Sequence, residues 1–518
     1  MASDPDLLTL QAMAQPEKLA LIDDRPGGEC TSWTYRELNG RVNRLANAMI
    51  ELGVGANDRV IWCGRNSPDV VAMTHAARKI GATAVPLNYR LTPEEAAYVV
   101  DNSDAVFVWA DAEFADLFQT IRERTPQVRE VALFGGAATG EGVLEGEAWL
   151  GAASEGEPAS NADAAQTMTY TSGTTGKPKG AVRKGLGNPD QVRALVGAIG
   201  YRPDDVYIST GPLYHSGPGG FMAIAFALGQ TVVLQRRFDA EDWLRLVERY
   251  RATSTFSAPT PIRMICHLPE DLKARYDRSS MRIMIANAAP WSMALKEAYL
   301  KDFPAESLFE VYGSTELGVN TILRPEDQLR KPQSCGKAAP GVELVLIDDD
   351  GAEVTKAGEP GELFVRSASV FDEYHKARDK YEEDRRGDLH TVGDVAYFDE
   401  EGFYFICDRK KDMIISGGMN IYPAEIEAAL ERHEDVFDVA VLGIPSEEWG
   451  ESVHAVVVVG PDVALSEQQV IAFAREHLAG YKVPRSVSFS EELPRTGSGK
   501  ILKRILREPF WADQHSQV

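Results

Sequence analysis

Thr167-Met-Thr-Tyr-Thr-Ser-Gly-Thr-Thr-Gly-Lys-Pro-Lys-Gly180 joins an extended apolar lead-in to six small or hydroxyl residues, Thr171 to Gly176, and then to Lys177 and Lys179. Glycine lets a backbone approach phosphate oxygens, hydroxyls donate to them, and lysine offsets their charge. A strand that runs into such a loop is a phosphate cradle. The loop is not of the Walker type, which needs glycine at 171 and a hydroxyl at 178, where Thr171 and Pro178 stand. A P-loop nucleotidase is therefore excluded on spacing.

On the N-terminal side of the cradle, helix and strand patterns alternate. Thr34 and Glu37 have the spacing of a capping box. Leu38, Val42, Leu45, Met49 and Leu52 follow at helical spacing, and Gly53 marks the stop. Arg59 to Cys63 predicts a strand, Ser67 to Lys79 a second helix and Ala82 to Pro86 another strand. That order predicts βαβ units and a parallel sheet. Residues 133–165, rich in Gly, Ala, Glu and Ser, read as loop or linker.

Past residue 335 the pattern changes. Val342 to Ile347 and Gly361 to Arg366 flank an Asp350-Gly351 turn, and Asp399-Glu-Glu-Gly402 lies between two apolar runs, so two hairpins are predicted. The acidic clusters at these tips do not fit the EF-hand spacing and read as solvated turns. The last hundred residues form their own βα pattern, with one helix starting at Pro423 and another running from Ser466, paired with Gln469, to Gly480. Charge density peaks between Asp408 and Lys411, which places a boundary there.

At 518 residues the chain is long enough for two or three domains. Against 78 acidic residues stand 54 basic ones, and the net charge of −24 opposes nucleic acid or an acidic membrane leaflet. Phosphates must then be held by local cations and backbone amides. The start lacks the basic region and apolar run of a signal peptide. The most apolar stretch, Phe221 to Leu234, is broken by Gly229, Gln230 and Thr231 and falls short of the roughly 18 residues of a membrane span. Five scattered cysteines and the lack of His/Cys clustering argue for reduced thiols and against a structural zinc site. A soluble cytoplasmic protein is the expectation.

Tyr170-Thr-Ser-Gly-Thr-Thr-Gly-Lys-Pro-Lys-Gly180 resembles the signature loop of the adenylate-forming enzymes, which include acyl-CoA synthetases, peptide-synthetase adenylation domains and luciferases. Further signatures follow in the family's order: Pro212-Leu-Tyr-His-Ser216, Ala288-Ala-Pro290, Tyr312-Gly-Ser-Thr-Glu316, Gly393-Asp394, Asp408-Arg-Lys-Lys-Asp412, Gly417-Gly-Met-Asn-Ile-Tyr-Pro423 and Pro494-Arg-Thr-Gly-Ser-Gly-Lys500. They span roughly residues 160–505. The resemblance implies an α/β fold: a large N-terminal domain of αβ-layered sheets with a β-barrel-like subdomain (1–408), a hinge (409–412) and a small α+β lid domain (413–518).

The resemblance also implies a two-step reaction. A carboxylate attacks the α-phosphate of ATP to give acyl-AMP and pyrophosphate, and the thiol of CoA then takes the acyl group. Two anions meet in the first step, so metal and lysine must offset charge. Glu316 matches the family's Mg²⁺ ligand, Thr315 its phosphate contact, and Lys500 the lysine that bridges carboxylate and phosphate. The loop residues Thr171, Ser172, Gly173, Thr174, Thr175 and Gly176, with Lys179, correspond to the phosphate cradle. Asp394 should accept from the ribose hydroxyls and Arg409 approach ribose or phosphate. Tyr312 and the adjoining Gly313 should lie against adenine, with Ala288 and Ala289 on its other side. His215 matches a gate between acyl pocket and thiol tunnel. Lys411 stands at the hinge, about which the lid would swing Lys500 out and the Gly417-Gly418 loop in.

The chain departs from the family pattern in several places. Glu310 stands where many relatives carry Asn or Gln near the adenine amino group, and a carboxylate can also accept that hydrogen bond. Asn287 and Trp291 flank the Ala-Ala-Pro segment, Met419 replaces Glu or Phe, and Arg183-Lys184 follows the cradle where His is frequent. The ending Lys500-Ile-Leu-Lys-Arg-Ile-Leu-Arg507 resembles CoA ligases, and the chain stops too soon after it for a fused carrier domain. The acyl pocket should be built by the helix after Gly217-Pro-Gly-Gly220, starting with Phe221 and Met222, together with the Asn287 and Glu310-to-Gly313 segments. The favoured reading is an acyl-CoA synthetase of fatty-acid metabolism acting on a medium- or long-chain, or bulky ring-containing, acid. Its partners are that acid, ATP and CoA, with no nucleic acid and no membrane span, and a homodimer is one open assembly state. The alternatives are the same fold running only one half-reaction, or a nucleotide-binding protein without turnover.

Overall fold

The structure is a computed structural model of the chain and describes residues 5–137, 142–159, 161–171, 177–184, 188–289, 291–460, 463–495 and 501–511, with the side chain of Asp163 left aside. Among these residues the strands form sheets of nine, eight, five and five strands.

The capping box forms in full. Thr34 accepts from the Glu37 backbone N–H while the Glu37 carboxylate receives the Thr34 N–H, at the start of the helix Tyr35–Glu51. Such a cap contributes about 1 kcal/mol. The helix ends where Gly53 turns with φ +76°. Arg59–Cys63 and Thr83–Leu87 pair in parallel, joined by the helix Pro68–Lys79, as the alternation predicts. Residues 133–165 are not all linker. Val143–Glu145 extends the eight-stranded sheet beside Glu130–Phe134, and Gly146–Ala152 is a helix whose Trp149 packs on Phe107 and Trp109.

Apolar packing explains the layering. One core joins Tyr35, Leu38, Val70 and Met73 of two helices to Leu21 and Val232 of the nine-stranded sheet and to Trp62 and Phe107 of the eight-stranded one. Further helices cover the outer faces, Ala240–Tyr250 and Met293–Asp302 on one sheet and Pro93–Asn102 on the other. The result is an α–β–α–β–α stack. Val342–Ile347, Gly361–Ser367, Leu389–Phe398 and Tyr404–Arg409 form the antiparallel subdomain, and both predicted hairpins are present in it.

A small C-terminal α+β domain follows, with strands that include Ile414–Ser416, Val436–Ser446 and Gly450–Val459. The helices Pro423–Leu430 and Glu467–His477 pack on one face of its sheet and Lys503–Trp511 on the other. The second of these helices stops at His477, short of Gly480, where a single 3₁₀ turn takes over. Among the described residues all five cysteines are free thiols, and no helix is long and apolar enough to cross a membrane.

Candidate active site

A continuous cleft of about 3630 Å³ runs between the large domain and the small one. Its floor is made where parallel strands of the nine-stranded sheet end, the usual position for a ligand in such sheets.

One end is polar. Glu310 and Tyr312 lie two apart on the strand Leu308–Ser314 and so share a face. Alongside, the chain leaves Ile283–Ala286 in a tight turn. The Asn287 side chain accepts from the Ala288 N–H and donates to the Val311 carbonyl, and Ala288 takes φ +71°. Left-handed alanine is strained, and the Asn287 amide bridges the turn to the neighbouring strand. At Gly313 an added Cβ would lie 2.1 Å from the Gly318 carbonyl oxygen, so only glycine lets these strands close. The Tyr312 hydroxyl donates to Asp394 at 2.6 Å. Burial, reinforced by Asp394, holds that phenol well above its ordinary pKa, so it stays a donor. Arg409 Nε lies 3.5 Å from the other Asp394 oxygen.

Next along the cleft, Glu316 is 8% exposed, and its Oε1 accepts from Thr171 at 3.0 Å and from the Tyr374 hydroxyl at 3.1 Å. Thr315 Oγ1 shares a 2.7 Å hydrogen bond with Ser216, while its carbonyl accepts from Arg183 at 2.9 Å. Burial pushes the Arg183 guanidinium below its usual pKa despite Asp372 and Glu316 nearby. The Lys179 ammonium lies 5.9 Å from the Tyr374 ring. Mg²⁺ is commonly held by one or two carboxylates together with substrate phosphates. Glu316, a hard oxygen donor beside the cradle strand, fits that chemistry. Among the described residues no group of three His, Cys, Asp or Glu side chains gathers to hold a metal by itself.

The other end is apolar. Phe221 and Phe256 stack there, in one apolar cluster with Met222 and Trp62, and all four line the cleft. Gly217 and Gly220 lie inside the helix Ser216–Ala227 rather than before it. A Cβ at Gly217 would sit 2.4 Å from the Phe256 ring, which itself stacks on Phe221 at 5.2 Å. His215, at the cap of this helix, lies 4.4 Å from the Tyr214 ring.

The sequence motifs thus converge in part. Glu316, Thr315, Thr171, Lys179, Ala288, Ala289, Glu310, Tyr312, Gly313, Asp394, Arg409, His215 and Lys411 all line or adjoin the cleft. Gly417 and Gly418 do not. They form the exposed turn between Ile414–Ser416 and Met419–Ile421, with Gly417 packed on Trp449. Ser172, Gly173, Thr174, Thr175, Gly176 and Lys500 lie outside the described residues. Tyr374 and Lys296, which pairs with Glu310, were not singled out from sequence, Ser216 only as the end of the Pro212–Ser216 motif, and Arg183 only as a departure. At the domain junction, Asp408 accepts from the N–H groups of Arg409 and of Ala424, the latter at 3.0 Å in the first turn of the helix Pro423–Leu430. Burial pushes its carboxyl up to about 6, with Lys503 opposing. Lys503 in turn pairs with Glu427 at 2.8 Å, and the Lys411 carbonyl lies 3.5 Å from Arg507.

The AMP-binding enzyme family matches residues 8–375 and the AMP-binding enzyme C-terminal domain matches residues 425–500, so the chain belongs to this adenylate-forming family. It is an AMP-forming acid–thiol ligase of the acyl-CoA synthetase branch, with ATP, CoA and Mg²⁺ as its cofactors. A relative named long-chain-fatty-acid–CoA ligase FadD13, from Mycobacterium tuberculosis, is 33% identical over 484 residues, covering 92% of this chain and 93% of its own. Indoleacetate–CoA ligase from Aromatoleum aromaticum is 34% identical over 484 residues, covering 92% of each. Among solved structures, ATP-bound MatB from Rhodopseudomonas palustris superposes with a TM-score of 0.85 at 28% identity, covering 98% of this chain and all of that one. The anthranilate CoA ligase AuaEII with anthranoyl-AMP gives 0.87 at 27% identity, covering 98% and 96%.

Proposed function

We propose that this ligase activates a hydrophobic carboxylic acid, medium- or long-chain or carrying a bulky ring, and passes it to CoA in the cytoplasm. The observation that carries this reading is one cleft with a carboxylate- and hydroxyl-lined end and an aromatic-walled end. The acid's tail lies along Phe221, Met222 and Phe256, and its carboxylate points towards Thr315 and the cradle. ATP lies with its base between Tyr312 and the Ala288-Ala289 turn, and its ribose hydroxyls donate to Asp394. Arg409 balances the Asp394 charge and faces the phosphates. Glu316, backed by Thr171 and Tyr374, is the carboxylate that would hold Mg²⁺, which supplies charge neutralisation for the phosphates when bound.

The substrate carboxylate then attacks the α-phosphate, the bond to the oxygen bridging to the β-phosphate breaks so that pyrophosphate leaves, and Lys500 offsets the charge that builds up between the two anions. The thiol of CoA next displaces AMP from the anhydride, past His215. The large domain runs to 408, residues 409–412 act as hinge with Lys411 at the pivot, and residues 413–518 are the lid. In the other lid orientation the exposed Gly417-Gly418 turn would enter the cleft.

A panel of carboxylates scored for AMP and thioester release by purified protein tests the substrate class; turnover confined to short polar acids overturns it. Lys500→Ala should abolish acyl-AMP formation and spare thioester formation from supplied acyl-AMP. Equal loss of both half-reactions would refute the role given to that lysine.

A further inference from the structure

Arg495 and Ile501 stand on either side of the segment that carries Lys500. They pair in an antiparallel bridge, and the Leu502 N–H donates to the Pro494 carbonyl at 2.7 Å. The two ends of that segment are thus held together, and both line the cleft. On one side Arg495 pairs with Asp438. On the other the chain enters the helix Lys503–Trp511 at once. Lys503 and Arg507 stand four residues apart and so share a face of that helix. The Lys503 side chain is 15% exposed, and its Nζ lies 2.8 Å from Glu427 Oε1, which also accepts from the Val441 N–H at 2.7 Å. Burial works against the charge of this ammonium, but Glu427, Asp408 and Asp412 together outweigh it and raise its pKa. Arg507 lies 3.2 Å from Glu451 and beside the Lys411 carbonyl. Glu427 and Glu451 belong to the small domain, whereas Asp408, Lys411 and Asp412 belong to the junction. Two cations on one face of the helix that follows Lys500 therefore rest on the junction.

We propose that Lys503 is a positioning residue for acyl-AMP formation: it seats the Lys500 segment against the junction in this orientation of the small domain. The inference rests on the role given to Lys500 above. A catalytic side chain must be held to about half an ångström by the groups behind it, and a misplacement of about 1 Å can cost about 100-fold in rate. Asp408 also accepts from the Ala424 N–H, so the first turn of the helix that carries Glu427 is tied to the same point. A lid that turns about 409–412 carries Glu427 along with Lys503 and takes both away from Asp408. The seating thus serves the first half-reaction, and thioester formation has no use for it.

The test separates the two half-reactions in the full chain, with dodecanoate as the acid or, if the carboxylate panel ranks another higher, that acid. Acyl-AMP formation is followed with ATP and Mg²⁺ in a single turnover, and thioester formation with the matching acyl-AMP and CoA. Lys503→Met should slow the first by about 100-fold and the second by less than about threefold. Lys503→Arg keeps the cation and should recover at least about tenfold of that loss. Glu427→Gln is nearly isosteric and keeps an acceptor for Val441. It should slow acyl-AMP formation in the same selective way, and it decides the matter if Lys503→Met does not fold. Equal slowing of both half-reactions is the mark of a merely structural residue and overturns the proposal, as does acyl-AMP formation at the wild-type rate. Lys500→Ala tells the failures apart. If it loses acyl-AMP formation while Lys503→Met does not, the positioning role alone falls; if it adenylates normally, the role of Lys500 falls and the positioning role with it. A wild type that activates no acid of the panel overturns the ligase reading and this inference together.

Discussion

Replacing Tyr312 by Phe removes one hydroxyl and keeps the ring. That hydroxyl donates to Asp394 at 2.6 Å, and hydrogen bonds to a charged acceptor contribute about 1.5–3 kcal/mol. Asp394 is 8% exposed, and its nearest cation, Arg409 at 3.5 Å, is partly open to solvent and compensates weakly. The free protein should therefore lose about 1.5–3 kcal/mol. At roughly 2.1 cal/mol/K per residue over about 400 residues, 1 kcal/mol corresponds to little more than about 1 °C, so Tm should fall by about 2–4 °C. AMP changes the comparison. If the ribose hydroxyls donate to Asp394, they fill the acceptor site that Tyr312 vacated. AMP should then raise the Tm of Tyr312→Phe by more than it raises that of the wild type, recovering part of the deficit. Thermal and urea melts of both proteins with and without AMP measure this. An AMP increment equal in the two proteins would refute the shared use of Asp394 by tyrosine and ribose.

Ala288→Gly should relieve the left-handed strain at φ +71° and stabilise the free protein by about 1 kcal/mol, read from urea unfolding. Gly217→Ala places a methyl 2.4 Å from the Phe256 ring; overpacking of this kind costs about 1–3 kcal/mol, and the acid panel should shift towards smaller substrates. Asp408 holds its proton more tightly folded, at about 6, than unfolded, near 3.8. It therefore favours folding below the unfolded value, and that contribution is lost as pH rises through about 6. Two units correspond to roughly 3 kcal/mol, so Asp408→Asn should gain about that much relative to the wild type between pH 4 and pH 7.5 in equilibrium unfolding.

Local signals in the sequence carried the fold a long way. The Thr34–Glu37 pair specifies its helix start because both partners lie within one turn, and the Arg59 to Pro86 alternation needs no distant contact to be read. The helix Gly146–Ala152 was missed for the opposite reason. Its composition resembles linker, and what fixes it is Trp149 against Phe107 and Trp109 from another part of the chain. The Gly217–Gly220 stretch misled similarly. Glycine disfavours helix, yet the closeness of Phe256 leaves no room for a larger residue at 217. In the site, Glu316, Tyr312 and Asp394 were legible through the order of their motifs. Tyr374, 58 residues from the carboxylate it supports, and Lys296, hidden on a helix, were not. Partners brought together by tertiary packing leave no local spacing to read.

Asp394 and Arg409 face each other across the antiparallel ladder of Leu389–Phe398 and Tyr404–Arg409, and the next N–H, that of Lys410, closes on the Gly393 carbonyl. Asp394, proposed above as the acceptor for the ribose, and the last rung before the chain crosses to its smaller half are thus one mechanical unit. On the proposed reading, arrival or departure of a nucleoside there would act directly on the segment that leads into the smaller domain.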